Sequence, residues 1–153
     1  MRIIVQRVKK ASVEVENKVV GKINNGLLLL VGFTHDDTES DIDYLVKKVL
    51  NLRIFDDENG VMNKSVLDVN GSILSVSQFT LYADTKKGNR PSYVHAMKGE
   101  EAIKLYEIFN SKLGNNINVE TGVFGAEMDV HLINDGPITI ILNSKEWLSW
   151  IKK

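Results

Sequence analysis

The feature that most constrains the fold of this chain is a run of five apolar residues, LLLLV at positions 27–31. A strand that alternates apolar and polar residues needs cover on one face only, whereas a strand that is apolar throughout is buried on both faces. Residues 27–31 are therefore predicted to form a central strand that other elements cover on each side.

The residues before this run have the pattern of strands joined by short turns. Residues 2–8 and 12–16 are strand-like, and the second of these stretches alternates polar and apolar side chains. A turn at 17–18 leads into a strand at 19–23, and the sequence NNG at 24–26 forms a second turn because Asn and Gly tolerate positive φ. This part of the chain is predicted to be an antiparallel meander.

Two stretches change to the period of a helix. Residues 38–52 carry acidic residues in the first turn, with Thr38 or Ser40 as the N-cap. Residues 98–113 form a second amphipathic helix that ends at Gly114. The apolar positions that define these helices are Ile42, Leu45, Val46, Val49 and Leu50 in the first and Ala102, Leu105, Tyr106 and Phe109 in the second.

Further strands are predicted at 73–76, 117–121, 128–133 and 138–142, and Ser144 is placed to begin a short closing helix. A chain of 153 residues can bury a self-sufficient core, and no linker or repeat divides it. We therefore predict a single domain over the whole chain. Its fold class is α/β (α+β), with a mainly antiparallel, barrel-like curved sheet, two principal helices and a short C-terminal helix.

Composition excludes several classes of function. The chain has no cysteine, which removes disulfide and thiolate chemistry, and no apolar run has the length of a membrane helix. The expected location is the cytoplasm. With 19 basic and 20 acidic residues the net charge is −1, so any nucleic-acid partner must be bound by a local basic patch. Lys86, Lys87 and Arg90 are either such a patch or an ordinary solvated loop.

Motifs for cofactors and metals are also missing from the sequence. There is no glycine-rich phosphate loop and no nucleophile elbow around a serine. His35, His95 and His131 are widely separated, and none has a second ligand at helical spacing. We predict neither a cofactor nor a bound metal.

A polar stretch at 77–84, which follows the predicted strand at 73–76, is the first candidate for a site. The hydroxyl of Thr80 could attack an acyl carbon if a base were adjacent, but Gln78 cannot accept a proton at neutral pH. Hydroxyl and amide groups at a strand end more often bond to neighbouring backbone. The same groups could also bind the polar atoms of a substrate.

The second candidate is the sequence NDGPIT at 134–139, which interrupts two strand-like runs. Only about 5–6% of X-Pro bonds are cis, so the residue pattern alone predicts a trans turn at Gly136-Pro137. Gly allows another chain or a ligand to come close, and Pro fixes φ and removes a donor. We predict that this stretch and residues 77–84 form one pocket.

Four motifs in this order, SQFTL at 77–81, RPS at 90–92, GVFGAEM at 122–128 and NDGPIT at 134–139, resemble those of the D-aminoacyl-tRNA deacylase family. The resemblance covers nearly the whole chain. It implies an enzyme that hydrolyses the ester between a D-amino acid, or glycine mischarged on alanine tRNA, and the terminal adenosine of tRNA.

The resemblance also implies how such a site is built. The family is homodimeric, and a Gly-Pro segment in cis enters the site of the other subunit, where it excludes L-aminoacyl groups. The residues that match are Gly136 and Pro137 for chiral selection, Arg7 as support of that segment, Phe79 and Thr80 as catalytic residues through their backbone N–H groups, and Ser77, Gln78, Phe124 and Met128 as substrate contacts.

Because no base is evident, the tRNA 2′-hydroxyl is expected to orient or activate the water, while the protein positions the reactants. Two other functions remain open at this point. One is a non-catalytic nucleic-acid-binding dimer on the same scaffold, and the other is an esterase for small molecules.

Overall fold

The computed structural model describes residues 1–145 of the chain. These residues contain eight strands, two α-helices and one turn of 3₁₀ helix. The strands are β1 (Arg2–Val15), β2 (Lys18–Ile23), β3 (Gly26–Gly32), β4 (Phe55–Asp56), β5 (Met62–Lys64), β6 (Ser72–Ser77), β7 (Val119–Thr121) and β8 (Asp129–Asn143). The helices are α1 (Glu39–Asn51) and α2 (Gly99–Gly114), and the 3₁₀ turn is Phe79–Tyr82.

The first strand is longer than predicted. β1 is one continuous strand, with its first half paired to β3 and its second half paired to β2, both antiparallel. The predicted meander is confirmed where β1 turns back into β2. It is wrong beyond that point, because β2 and β3 follow one another along the same edge of β1 instead of pairing with each other. β8 pairs antiparallel with β1 along its other edge.

The sheet is mixed rather than purely antiparallel, although most of its paired residues are antiparallel, as predicted. β3 pairs with β6 and β6 pairs with β7, and both pairs are parallel. A parallel pair needs a long crossover connection, which here contains α1 in the first case and α2 in the second. Helical crossovers therefore account for the two parallel pairs of the sheet.

The sheet curves into a nearly closed barrel, as predicted. Its two end strands approach each other at Gly21 of β2, where an added Cβ would lie 2.7 Å from the carbonyl oxygen of Thr121 in β7. A side chain at this position would push the end strands apart. Gly21 therefore permits the close approach.

The apolar run at 27–31 is covered on both faces, which confirms the first prediction. Leu27, Leu29 and Val31 belong to the core between the sheet and the helices, whereas Leu28 belongs to a second core with Val8, Val13, Ile23, Leu74 and Val76. Leu30 packs against this second core. Successive side chains of one strand thus serve both layers.

Both predicted helices are present, and their apolar faces are in the core. All five apolar positions predicted for α1 are buried, and Thr38 is its N-cap. The backbone N–H of Thr38 donates to the Asp41 carboxylate over 2.9 Å. α2 buries Ala102, Tyr106, Phe109 and Leu113, whereas Leu105 is only partly buried.

The C-terminal part of the prediction has two outcomes. Residues 128–133 and 138–142, predicted as two strands, belong to the single strand β8. The short closing helix predicted from Ser144 lies outside the described residues. Among the helices of the described residues, none is both long and apolar enough to span a membrane.

Candidate active site

A cavity of about 550 Å³ lies at the carboxyl ends of the parallel strands β3 and β6. Crevices at this end of parallel strands are common ligand sites in α/β folds. Its wall is mostly apolar, with a few polar groups from the end of β6. Five of the residues predicted for the site line it: Ser77, Gln78, Phe79, Phe124 and Met128.

The end of β6 turns sharply into the 3₁₀ turn. The backbone N–H of Gln78 still donates to the Val31 carbonyl over 2.7 Å, and the turn begins at the next residue. Gly32 makes room for it, because an added Cβ would lie 2.9 Å from the Gln78 carbonyl oxygen. Phe79 is left 57% exposed at the cavity. The predicted change from buried strand to polar tip is confirmed.

Thr80 does not line the cavity, although it follows Phe79 directly. Its hydroxyl accepts a hydrogen bond from the Gln78 side-chain amide over 2.5 Å. An amide is not a base, and in the described part of the chain no carboxylate or imidazole hydrogen-bonds to this hydroxyl. The interpretation that these groups bond to neighbouring backbone is therefore not met at this pair, because the two side chains bond to each other.

The cavity also has an aromatic wall that the sequence analysis missed. The ring of Tyr93 lies edge-on to the ring of Phe79, with centroids 5.0 Å apart and an angle of 71°. Phe33 and Met97 also line the cavity. Tyr93 directly follows the RPS motif at 90–92. Its position next to that motif is the sequence signal that indicates a site residue.

Phe124 and Met128 reach the cavity because of the tight loop between β7 and β8. The Gly122 N–H donates to the Ser75 carbonyl over 3.1 Å, and an added Cβ at Gly122 would lie 2.5 Å from Met128 Sδ. Behind Phe124 lies Tyr106, whose ring centroid is 5.8 Å from that of Phe124. These contacts orient both cavity side chains.

Tyr106 acts as a buried, neutral donor. Its hydroxyl donates to the carbonyl oxygen of Ser75 over 2.7 Å. Burial raises its pKa, and the hydrogen bond to Ser75 opposes this rise only in part. The phenol therefore stays protonated at neutral pH and positions the ring that supports Phe124.

The Gly136-Pro137 peptide bond is cis in the structure, not the trans bond that the residue pattern alone predicts. It lies in a bulge of β8. Gln6 pairs with Thr139 and Val8 pairs with Asn134, so residues 135–138 all stand opposite Arg7. The bulge therefore projects from the sheet, and Gly136 and Pro137 are exposed.

Asn134 closes the base of this bulge. Its side-chain oxygen accepts the N–H of Ile138 over 3.0 Å, and its amide donates to the Thr139 hydroxyl over 3.0 Å. The Gln6 amide also donates to the Thr139 hydroxyl, at 3.2 Å. The bulge is thus tied to both strands.

Arg7 supports the bulge from below, and its side chain is buried. Its Nε donates to the Asp135 carbonyl oxygen over 3.1 Å, and its Nη1 donates to the Ile54 carbonyl oxygen over 2.7 Å. The carboxylates of Asp56 and Asp135 lie 3.6 and 3.5 Å from the guanidinium. Two carbonyls and two carboxylates therefore satisfy the buried charge.

A single chain does not bring Gly136 and Pro137 into the cavity. Arg7 pairs with Leu27 and Ser77 pairs with Val31, so the bulge and the end of β6 are offset by four residues of β3. At about 3.3 Å per residue, this offset is about 13 Å. Within one chain, the prediction that the two stretches form one pocket is not met, since the cavity lining includes neither residue.

Comparison with known proteins identifies the family. Residues 4–143 match the family described as D-Tyr-tRNA(Tyr) deacylase. The chain belongs to this family. It is a hydrolase of the aminoacyl-tRNA ester bond, with a role in tRNA proofreading.

Two solved structures are similar to this chain. A protein described as the c-Myc DNA unwinding element binding protein is 42% identical, with a TM-score of 0.89 over 94% of this chain and 98% of that chain. A probable eukaryotic D-amino acid tRNA deacylase has a TM-score of 0.78 at 19% identity, over 92% of this chain and 97% of that chain, and shares the fold.

Proposed function

We propose that this deacylase hydrolyses the ester of D-aminoacyl-tRNA and leaves the L-aminoacyl form intact. One observation carries the proposal: residues of two separate motifs, 77–81 and 122–128, line the same cavity. The cavity has the size range of a small-ligand site and combines apolar walls with a few polar groups. Such a site suits the terminal adenosine and an aminoacyl side chain.

The backbone of the 3₁₀ turn provides the donors for catalysis in this proposal. Phe79 and Thr80 are its first two residues, and the first N–H groups of a helix have no partner within it. In the described part of the chain, neither N–H donates to another protein group. Both are free to stabilise the oxyanion that forms when water attacks the ester carbonyl.

The water is oriented by the substrate's own 2′-hydroxyl in this mechanism. Among the described residues, the hydrogen-bond partner of the Thr80 hydroxyl is the Gln78 amide, which is not a base. An ester is already activated, so positioning and oxyanion stabilisation can supply most of the catalysis. Water attacks the carbonyl carbon, the ester C–O bond breaks, and the ribose 3′-oxygen leaves with a proton.

The chiral selector in this proposal is the Gly136-Pro137 segment of a second copy of the chain. Its exposure and its offset of about 13 Å from the end of β6 favour a partner's cavity over its own. Exposed apolar side chains on β8, Leu132 and Ile141, supply a surface for a homodimer. The site is then completed at the subunit interface.

Steric exclusion sets the specificity. A rigid main chain placed where an L side chain would project leaves room for hydrogen only, so D-aminoacyl groups and glycine mischarged on alanine tRNA both enter. A clash combined with an unpaired carbonyl can reach about 10⁴-fold discrimination, or about 5.5 kcal/mol. Because aminoacyl-tRNA is used in translation, the proposed location is the cytoplasm.

The test is deacylation of matched D-Tyr-tRNA and L-Tyr-tRNA, with Gly-tRNA(Ala) as a third substrate. We expect release of D-tyrosine and glycine, with L-Tyr-tRNA intact. Equal rates on the two tyrosyl substrates would reject the chiral mechanism, and turnover of simple esters without tRNA would favour a small-molecule esterase. Sedimentation of the chain as a monomer at assay concentration would reject the interface site.

A second candidate function is nucleic-acid binding without turnover. The observation that favours it is the name of the 42% identical protein, which describes binding of a DNA unwinding element. This function predicts salt-dependent binding of DNA by the chain with no release of amino acid from D-Tyr-tRNA.

A further inference from the structure

A second cavity, of about 400 Å³, lies on the other side of the 3₁₀ turn from the first. Phe79 at the start of the turn lines the first cavity, and Tyr82 at its end lines the second. Two other segments also pass from one cavity to the other. Phe33 and Ala96 line the first cavity, while their neighbours Thr34 and His95 line the second.

The second cavity is rich in cationic and hydroxyl groups. Its lining includes Arg2, Lys86 and His95, together with the hydroxyl side chain of Thr85. The hydroxyl of Thr34 also lies in the lining, but it donates to the carbonyl oxygen of His95. The whole protein has a net charge of −1, so this concentration of basic groups is a local property. Such a set of donors is suited to a phosphate group.

Arg2 is held in place, with donors to spare. Its Nη1 donates to the Leu81 carbonyl over 2.7 Å, and its guanidinium lies 4.7 Å from the centroid of the Tyr82 ring. A guanidinium has five N–H donors. Within residues 1–145, neither Arg2 nor Lys86 is paired with a carboxylate.

Asp84 is the one acidic group in the lining, and its carboxylate is already engaged. Oδ1 accepts the backbone N–H of Lys86 over 3.0 Å, and Oδ2 lies 3.3 Å from Nε2 of His95. The backbones of Asp84 and Ser92 exchange two hydrogen bonds, of 2.7 and 2.9 Å, which close the loop at 85–91 that carries Lys86. Asp84 therefore positions Lys86 and His95. Its carboxylate stays negatively charged, because the hydrogen bond from the Lys86 backbone lowers its pKa, but the two cationic side chains of Arg2 and Lys86 outnumber that single charge in the lining.

We propose that the second cavity binds a phosphodiester of the nucleotides that precede the terminal adenosine of tRNA. This inference rests on the proposed function, because it assumes that the adenosine occupies the first cavity. The RNA chain must then leave that cavity close to the 3₁₀ turn, where the second cavity lies. Lys86 is the residue through which the contact is tested, since Arg2 also supports the turn.

The test compares D-Tyr-tRNA with 3′-O-(D-tyrosyl)adenosine, which has no phosphate. Lys86→Ala should lower kcat/KM on D-Tyr-tRNA about fivefold, through KM, and reduce the dependence of log KM on log salt by about 0.7. The same variant should act on the adenosine ester like the wild type. Lys86→Arg should restore activity on tRNA, and Lys18→Ala, which removes an exposed lysine outside the cavity, should change neither substrate.

An equal loss on both substrates, or no loss on tRNA, would overturn the proposal. Binding of an oligonucleotide that ends in CCA and carries no amino acid separates this outcome from failure of the proposed function. If the wild type deacylates nothing, weaker binding of the oligonucleotide by Lys86→Ala than by Lys18→Ala still supports the cavity as a phosphodiester site. Equal binding by the two variants refutes it.

Discussion

The Nε of Arg7 donates to the carbonyl oxygen of Asp135 over 3.1 Å, immediately before the Gly136-Pro137 step. The same side chain donates to the Ile54 carbonyl and is only 7% exposed as a residue. One buried cation thus joins β1, the residues before β4 and the bulge of β8. Together with Asn134, this side chain fixes the position of the proposed selector.

We expect Arg7→Lys to lower both stability and chiral selection. A lysine ammonium cannot reproduce the fork that reaches two carbonyls in different directions, and buried acceptors without donors cost about 1–3 kcal/mol each. The free energy of unfolding should fall by about 2 kcal/mol in urea denaturation. Arg53→Lys, at an exposed arginine, is the control and should change it by less than about 0.5 kcal/mol.

Gly136→Ala should disturb the bulge directly. Gly136 has φ of 128°, and an added Cβ would lie 2.9 Å from Ile138 Cγ1 and 3.2 Å from Arg7 Nη2. A shift of about 1 Å at a selector can cost about 100-fold, so we expect the D-to-L ratio of deacylation rates to fall at least about tenfold. Gly114→Ala, where an added Cβ meets nothing within 4 Å, should leave the ratio unchanged.

Thr80→Val should retain activity within about tenfold of the wild type. The variant keeps the branched shape and removes only the hydroxyl, which bonds to Gln78 and does not line the cavity. Single-turnover deacylation of D-Tyr-tRNA measures the effect. A loss beyond about 1,000-fold, or an acyl adduct on Thr80 found after acid quenching, would identify the hydroxyl as a nucleophile.

Asp41→Asn should remove part of the acid sensitivity of the fold. Burial alone would raise the pKa of Asp41, but hydrogen bonds from Ser144 and from the Thr38 backbone outweigh it, and the pKa lies below its usual value. A carboxyl group whose pKa is lower in the folded state stabilises the fold at pH values above its unfolded pKa of 3.8. This contribution is lost as the pH falls through the folded pKa.

The free energy of unfolding of the variant should therefore be about 1 kcal/mol lower than that of the wild type at pH 7. Below pH 4 the variant should lose less stability than the wild type. Urea titrations at several pH values measure both effects. Glu100→Gln, which removes an acidic residue from the first turn of α2, is the matched control. An unchanged acid profile in Asp41→Asn would contradict the assignment.

Sequence patterns predicted the elements whose burial follows a local period. The helix over 38–52 follows from the spacing of its five apolar residues, and the covered strand follows from the run at 27–31. The end of β6 was found because polar residues follow apolar ones at Ser77. In each case the information lies within one stretch of chain.

Strand direction and pairing could not be found in this way. The parallel pairing of β3 with β6 depends on a crossover of about 40 residues. The sequence pattern predicts two strands in place of β8, because the residues of its bulge resemble a turn when the pairing with β1 is not known. A Gly-Pro step has the same local sequence in a turn and in a bulge.

The sequence by itself determined the buried face of α1, the strand that is covered on both faces, the point where polar side chains end a strand, and the four motifs that resemble the deacylase family. Only the tertiary structure decided that residues 77–79, Phe124 and Met128 share one cavity while Gly136 lies beside Arg7 instead. The physical reason is register. Contacts between residues more than 40 positions apart depend on how whole strands align, and no local pattern specifies that alignment.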